Sequence, residues 1–291
     1  MAAAADSHER PSPLVGAAAL AGRLAAGKRP VLLDVRWSLT GADRDAYRAG
    51  HLPGAAFLDL DAELAGPPGA AGRHPLPDPA VLQDALRRAG VDDGSAVVVY
   101  DERDASAAAR AWWLLRWAGL ADVAVLDGGY RAWVAAGLPV ESGPPANLGP
   151  GTRGRRGSVT VRPGRLPTVD ADGAAGLALR PGSVLLDARA AARYRGEVEP
   201  IDPVPGHIPA AVNLPYTDLL EPDGRLRPPE SLAAALAAAG AGPGGPAAAY
   251  CGSGVTACLL VLAGAVAGVE LALYPGSYSE WCALGRPVDT A

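Results

Sequence analysis

The sequence predicts an α/β protein of two similar domains, each a mostly parallel sheet flanked by helices on both faces. Short apolar segments alternate with helical stretches, which is typical of parallel sheets. The second half repeats the first at an offset of about 150 residues, which indicates a duplicated domain. We expect domains at 12–140 and 167–291, joined by a linker at 141–166 that is rich in glycine, proline and arginine.

The repeat is visible in several separate segments of the two halves. Val-Leu-Leu-Asp occurs in both, and Gly-His-Leu-Pro in the first half is matched by Gly-His-Ile-Pro in the second. The matched segments are 31–36 with 184–189, 50–55 with 206–211, 96–100 with 246–250, and 127–133 with 275–281. Because His51 and His207 occur in both halves, we expect structural roles for them. Ala210 replaces Gly54 of the first half, which could shift a turn.

The first half shows the order of elements most clearly. Nearly continuous runs of β-branched and other apolar residues predict buried strands near 31–35, 97–100 and 123–126. Helices are predicted at 14–26, 79–89, 105–118 and 129–136. Four tryptophans are expected to fill the core or the face between the domains: Trp112, Trp113, Trp117 and Trp133.

Composition and charge exclude several classes of function. The net charge is −5 and the isoelectric point about 5.4, so neither nucleic acid nor an anionic membrane is an expected partner. The longest apolar run, at 255–269, is short and predicts a buried helix rather than a membrane span. Residues 1–10 show no secretory pattern, and the three cysteines have no zinc spacing, so we expect free thiols in the cytoplasm.

Residues 251–257, Cys-Gly-Ser-Gly-Val-Thr-Ala, carry the strongest chemical signal. Cys251 follows a predicted strand directly, and ligands of such sheets bind beyond the carboxyl ends of the strands. Backbone N–H groups at the start of a helix favour a thiolate over a thiol, which makes Cys251 a candidate nucleophile. Asp101 stands at the matching position of the first half. We therefore expect the first domain to be inactive and the second to be catalytic.

Motifs along nearly the whole chain, from about Leu14 to Val288, resemble the tandem rhodanese family of sulfurtransferases. They are Asp-Val-Arg-Trp at 34–37, the two Gly-His-(Leu/Ile)-Pro segments, Gly-Gly-Tyr-Arg-Ala-Trp at 128–133, Arg-Tyr-Arg-Gly at 193–196 and the cysteine loop. Within the family, the loop is similar to that of the 3-mercaptopyruvate sulfurtransferases. Thiosulfate sulfurtransferases usually carry basic residues directly after the cysteine, whereas this chain has the neutral Gly252 and Ser253.

The resemblance implies a reaction and its partners. Cys251 would take a sulfur atom from a small-molecule donor as a persulfide, release pyruvate, and pass the sulfur to a thiol or cyanide. A thioredoxin-like protein is one acceptor of this kind, and neither a metal nor an organic cofactor is implied. Thiosulfate is the alternative donor, and a non-catalytic sulfur-binding or regulatory module is a more remote alternative. A phosphatase loop would need an arginine six positions after Cys251, where the chain has Ala257.

The resemblance also suggests which residues bind the donor. The backbone of Gly252, Ser253, Gly254, Val255 and Thr256 would cradle the persulfide, and Thr256 could instead be an ordinary helix cap. Arg193 occupies the position of the family's arginine for the substrate carboxylate. Its alternative is an ion pair with Glu197 or Glu199. Some mercaptopyruvate enzymes have a second arginine slightly further on, where this chain has Ile201.

A proton relay of Ser253, His74 and Asp61 is the last implication of the resemblance. Histidine carries protons near neutral pH, and an aspartate can fix its tautomer. The alternative is a loop histidine beside a helix-capping aspartate. Cys258 is expected to be buried, with a resolving disulfide as the sharper alternative, and Cys282 is expected to serve packing.

Overall fold

The computed structural model describes residues 12–144 and 155–290 and contains two open parallel sheets, one from each half of the chain. The strands of the first half are β1 (Leu14–Val15), β2 (Val31–Asp34), β3 (Trp37–Ser38), β4 (Gly41–Ala42), β5 (Ala56–Phe57), β6 (Val97–Tyr100) and β7 (Val123–Leu126). Its helices are α1 (Ala17–Ala25), α2 (Arg44–Ala49), α3 (Leu60–Glu63), α4 (Pro79–Arg88), α5 (Ser106–Trp117) and α6 (Gly129–Ala135). The sheet has the order β1-β7-β6-β2-β5, and β3 and β4 form a separate hairpin.

The second half repeats this arrangement with a four-stranded sheet in the order β11-β10-β8-β9. Its strands are β8 (Val184–Asp187), β9 (Val212–Asn213), β10 (Ala247–Tyr250) and β11 (Ala272–Leu273). Its helices are α7 (Ala171–Leu179), α8 (Ala191–Tyr194), α9 (Pro229–Ala238), α10 (Ala257–Ala267) and α11 (Ser277–Ala283), with a 3-10 turn at Tyr216–Leu219. The predicted fold class is confirmed in both halves.

The predicted helix at 14–26 is wrong in its first residues. Leu14 and Val15 form an edge strand that pairs in parallel with Val125 and Leu126. The helix begins only at Ala17. As an edge strand, Leu14 and Val15 satisfy their backbone hydrogen-bonding groups by pairing with β7. This pairing outweighs the local helical pattern of the sequence.

The two halves pack through a shared apolar layer. Helix α5 lies against α10, and the largest core cluster contains residues from both halves. The four tryptophans expected in the core are all buried there or in the core behind the first sheet: Trp112, Trp113, Trp117 and Trp133. The described chain has no helix long and apolar enough to span a membrane.

Part of the predicted linker lies on the first half instead of standing free in solvent. Residues 145–154 of the predicted linker are outside the described part of the chain. Beyond them, the N–H groups of Gly157 and Val159 donate to carbonyls of the first half at 2.8 and 3.1 Å, and Val159 is buried. Arg155 and Arg162 pair with Asp92 and Asp93 respectively.

The repeated Gly-His-(Leu/Ile)-Pro segments have the structural role that the repeat predicts. The Nδ1 atom of His51 lies 2.9 Å from the Tyr47 carbonyl, and that of His207 lies 2.8 Å from the Tyr194 carbonyl. Each imidazole also stacks on the tyrosine ring. Ala210 keeps the turn of Gly54 by adopting a φ of 62°, so the substitution leaves the turn in place at the expense of backbone strain.

Candidate active site

Cys251 lies at the carboxyl end of β10, buried at the base of a cavity of 660 Å³ between the two halves. Only 2% of its surface is exposed. Its backbone N–H donates to the Ser277 hydroxyl at 3.1 Å, and its carbonyl accepts from the Tyr278 N–H at 3.0 Å. The strand end and α11 therefore fix the position of the sulfur.

The loop after Cys251 turns sharply back toward the sulfur. The Gly254 N–H donates to Cys251 Sγ at 3.1 Å. Gly254 has a φ of +79°, and a Cβ there would collide with the Pro275 carbonyl, so the turn requires glycine. A backbone N–H aimed at sulfur stabilises negative charge on it.

The same turn in the first half holds a carboxylate. Asp101 accepts hydrogen bonds from four backbone N–H groups, each at 3.1 Å: those of Arg103, Ala105, Ala107 and Ala108. The pKa of Asp101 is raised to about 7, mainly by burial and also by nearby Asp104, although these N–H bonds act in the opposite direction. The turn of this repeat is thus built to surround an anionic group with backbone N–H donors.

The predicted relay residues from the two halves meet beside Cys251. His74 Nδ1 lies 2.8 Å from Ser253 Oγ, and His74 Nε2 lies 3.2 Å from Asp61 Oδ1. The Asp61 carboxylate also accepts from Trp37 Nε1 at 3.0 Å, and the Trp37 ring meets the imidazole edge to face. Because a carboxylate only accepts, His74 Nε2 carries the proton and Nδ1 accepts from the serine hydroxyl.

The surroundings of His74 favour its neutral form. Burial lowers the pKa of the imidazole, and the positive charges of Arg110 and Arg73 lower it further, whereas Asp61 raises it. A neutral imidazole with a free lone pair on Nδ1 can accept the Ser253 proton near neutral pH.

Arg193 reaches the cavity, but it also makes one of the ion pairs considered for it. Its Nη2 lies 2.6 Å from Glu199 Oε1 and 3.1 Å from Asp202 Oδ2. Glu197 pairs instead with Arg195. The Arg193 side chain is partly exposed and lines the cavity next to Gly252, so donors remain available to a bound anion.

Arg73 is a site residue that sequence reasoning missed. Its guanidinium pairs with Asp202, the carboxylate that also pairs with Arg193. Its Nη2 lies 2.8 Å from where a Cβ on Gly252 would be, and Arg193 Nη1 lies 3.6 Å from the same point. Two guanidinium groups, one from each half, therefore converge on the backbone next to Cys251. The only available signal was its position directly before His74.

Thr256 occupies the N-cap position of α10 but does not cap the helix with its side chain. Its backbone is already helical, and its side chain makes no capping hydrogen bond with α10. The capping interpretation is therefore wrong, and the Thr256 side chain lines the cavity instead. Val255 is buried beside it, whereas Cys258 points its thiol at the Gly254 carbonyl at 3.2 Å.

Comparison with known proteins places this site in a family. Residues 17–136 and 172–284 each match the sequence pattern of the rhodanese-like domain. The chain belongs to the rhodanese family. Asp101 and Cys251 each follow a strand of one rhodanese-like domain, β6 and β10 respectively, and the cavity lies between those domains.

Relatives of this rhodanese-family protein are sulfurtransferases, and so is this chain. A Mycobacterium tuberculosis protein with the provisional name thiosulfate sulfurtransferase SseB is 45% identical over 92% of this chain and 93% of its own. A Pseudomonas aeruginosa protein provisionally named 3-mercaptopyruvate sulfurtransferase is 46% identical over 89% and 92%. The structure of 3-mercaptopyruvate sulfurtransferase from Leishmania major superimposes with a TM-score of 0.80 at 31% identity, covering 97% of this chain and 77% of that one.

Proposed function

We propose that this sulfurtransferase takes its sulfur from 3-mercaptopyruvate and carries it as a persulfide on Cys251. The hydrogen-bonded chain from Ser253 through His74 to Asp61 is the observation that supports this donor most directly. Breaking the carbon–sulfur bond of mercaptopyruvate leaves a carbanion equivalent that must be protonated at carbon. Thiosulfate releases sulfite without any protonation at carbon, so its reaction does not need a proton relay.

The proposed reaction balances with the groups present. The Cys251 thiolate attacks the donor sulfur, the carbon–sulfur bond breaks, and its electron pair leaves as the enolate of pyruvate. The donor thiol's proton passes through Ser253 and His74 to the enolate carbon, which becomes the methyl group. An acceptor thiolate or cyanide then attacks the outer sulfur, the sulfur–sulfur bond breaks, and the Cys251 thiolate is restored.

The charges around the cavity also favour a monoanionic donor. Five arginines line it: Arg73, Arg103, Arg131, Arg189 and Arg193. Six carboxylates line it or pair with those arginines: Asp101, Glu102, Asp104, Asp187, Glu199 and Asp202. Because the carboxylates offset the arginines, the site has no excess of positive charge for the dianion thiosulfate. One carboxylate and one ketone need only a few convergent N–H donors.

The first rhodanese-like domain, in this proposal, is a wall of the site with no sulfur chemistry of its own. It supplies Asp61, Arg73 and His74 to the shared cavity, while Asp101 fills the turn that would otherwise hold a sulfur anion. We place the boundaries of this domain at 12–140 and those of the catalytic domain at 167–291.

The donor preference is tested by measuring kcat/KM for mercaptopyruvate and for thiosulfate with one common acceptor. We expect mercaptopyruvate to be preferred by about tenfold or more, which corresponds to about 1.4 kcal/mol of transition-state stabilisation. The resemblance to the Mycobacterium tuberculosis relative makes thiosulfate the specific competitor. A higher kcat/KM for thiosulfate would overturn the proposed donor.

Arg193 and Arg73 are proposed to bind the donor carboxylate together. Replacing either by alanine is expected to raise KM for mercaptopyruvate about tenfold or more with a smaller effect on kcat, because a hydrogen bond to a charged group contributes roughly 1.5–3 kcal/mol. Arg195→Ala is the matched control, since Arg195 pairs with Glu197 at the surface and does not line the cavity. An unchanged KM in Arg73→Ala would show that Arg193 alone binds the carboxylate.

A further inference from the structure

Arg110 is a fully buried charge in α5, and its neighbours along the helix from Ala107 to Leu115 are all apolar. Within the described residues no carboxylate pairs with it. Five of its hydrogen bonds go to main-chain carbonyls: Leu64 at 3.4 and 3.2 Å, His74 at 3.1 Å, Pro75 at 3.2 Å and Gly254 at 3.1 Å. The Cys258 thiol is a further hydrogen-bond partner. Burying an arginine without a counter-charge costs several kcal/mol, so its presence requires an explanation.

These bonds connect the relay to the nucleophile. Arg110 Nη2 donates to the carbonyl of His74, and Nη1 donates to the carbonyl of Gly254. Gly254 is the residue whose N–H donates to Cys251 Sγ. The guanidinium therefore fixes the second-domain loop whose Gly254 N–H points at the sulfur of Cys251. It also fixes the backbone of His74, the first-domain histidine that moves the proton.

Among the described neighbours that influence Arg110, only the sulfur atoms of cysteines can supply a negative charge. The pKa of the guanidinium is lowered by burial, while Cys258 and Cys251 act in the opposite direction. Burial raises the pKa of Cys258 to about 12, so that thiol remains neutral. The other sulfur is that of Cys251, which accepts from the Gly254 N–H.

We propose that Arg110 is a positioning residue whose buried positive charge stabilises the anionic sulfur of Cys251, as the thiolate and then as the persulfide. The inference rests on the proposed role of Cys251 as the sulfur carrier, but not on which donor supplies the sulfur. It assigns the first domain an electrostatic part in the chemistry of the second, since α5 belongs to the first domain.

Alkylation of Cys251 by iodoacetamide, followed against pH, tests the proposal without any sulfur donor. The charged or titratable groups that face this sulfur or line its cavity are Arg110, Cys258, Tyr216, Arg73, Arg103, Arg131, Arg189, Arg193, Asp101, Glu102 and Asp104, with His74 behind Ser253. Arg110→Gln removes only the guanidinium charge from this set. We expect it to raise the alkylation midpoint by about one pH unit or more, which lowers the rate at neutral pH about tenfold.

Two matched variants separate charge from packing. Arg110→Lys keeps the charge and should leave the midpoint near that of the wild type, even if turnover falls. Arg36→Gln removes another buried arginine, which is bonded to Asp34 and the Gly50 carbonyl, and should not move the midpoint. A midpoint in Arg110→Gln equal to that of the wild type overturns the proposal.

A second measurement needs no Arg110 variant to fold. If the buried charge stabilises the thiolate in the folded protein, raising the pH adds stability to the wild type that Cys251→Ala cannot gain. The stability gap between the wild type and Cys251→Ala should therefore widen from about pH 6 to pH 8.5. A constant gap overturns the proposal, whereas a preference for thiosulfate would overturn only the proposed donor.

Discussion

Replacing Cys251 by serine is expected to abolish sulfur transfer while the protein stays folded. A hydroxyl of ordinary pKa is a poor nucleophile toward sulfur and cannot hold a persulfide, so the loss should be about 10³-fold or more with either donor. The substitution is nearly isosteric, and Cys251 forms no disulfide, so little stability should be lost. Thiocyanate or pyruvate release measures the activity, and the melting temperature checks the fold.

A control cysteine makes the result specific. Cys282→Ser should retain activity, because Cys282 is only partly buried and does not line the cavity. In the wild type, donor without acceptor should add the mass of one sulfur atom, and Cys251→Ser should show no such addition. Substantial transfer by Cys251→Ser would mean that another group carries the sulfur. Cys258 is poorly suited to that role, because its buried thiol donates to the Gly254 carbonyl.

The position of Cys251, the proposed nucleophile, could be predicted from local sequence. Tyr250 ends an apolar strand and Cys251 follows it directly. Because parallel sheets bind ligands at the carboxyl ends of their strands, this order places Cys251 at the binding edge. The meeting of His74 and Asp61 with Ser253 could not be derived in this way. It required a family resemblance, because contacts between residues about 180 positions apart depend on how two domains dock.

The arginines show where sequence reasoning failed. Ile201 stands where some mercaptopyruvate enzymes have a second arginine, which suggested that the binding site for the donor carboxylate was incomplete. Arg73 nevertheless reaches the same region from the other domain. Nothing in its local pattern gives the direction of that side chain. Arg110 did leave a signal, since a charge in the middle of a helix with apolar residues on both sides of it indicates a buried ion. Its partners are carbonyls of distant loops, and no periodicity reveals those.

Replacing His74 by alanine is expected to separate the two donors. Mercaptopyruvate turnover should fall about 10²–10⁴-fold, the usual contribution of a general acid–base group, because the proton no longer reaches the enolate carbon. Thiosulfate turnover should fall much less, since its leaving group needs no proton at carbon. The same enzyme preparation assayed with both donors is its own control for folding. Equal losses with both donors would show that His74 supports the loop and does not move the proton.

The pH dependence gives this relay a second signature. The neutral imidazole is the form that accepts the Ser253 proton, so mercaptopyruvate turnover should fall as pH drops through the His74 pKa. Burial and the charges of Arg110 and Arg73 lower that pKa, which places the acidic limb below the ordinary value of histidine. Asp61 raises it, so Asp61→Asn should move the limb to still lower pH. His74→Ala should remove the limb, because no imidazole remains to be protonated between Ser253 and Asp61. An acidic limb that survives in His74→Ala would assign it to another group and contradict the relay.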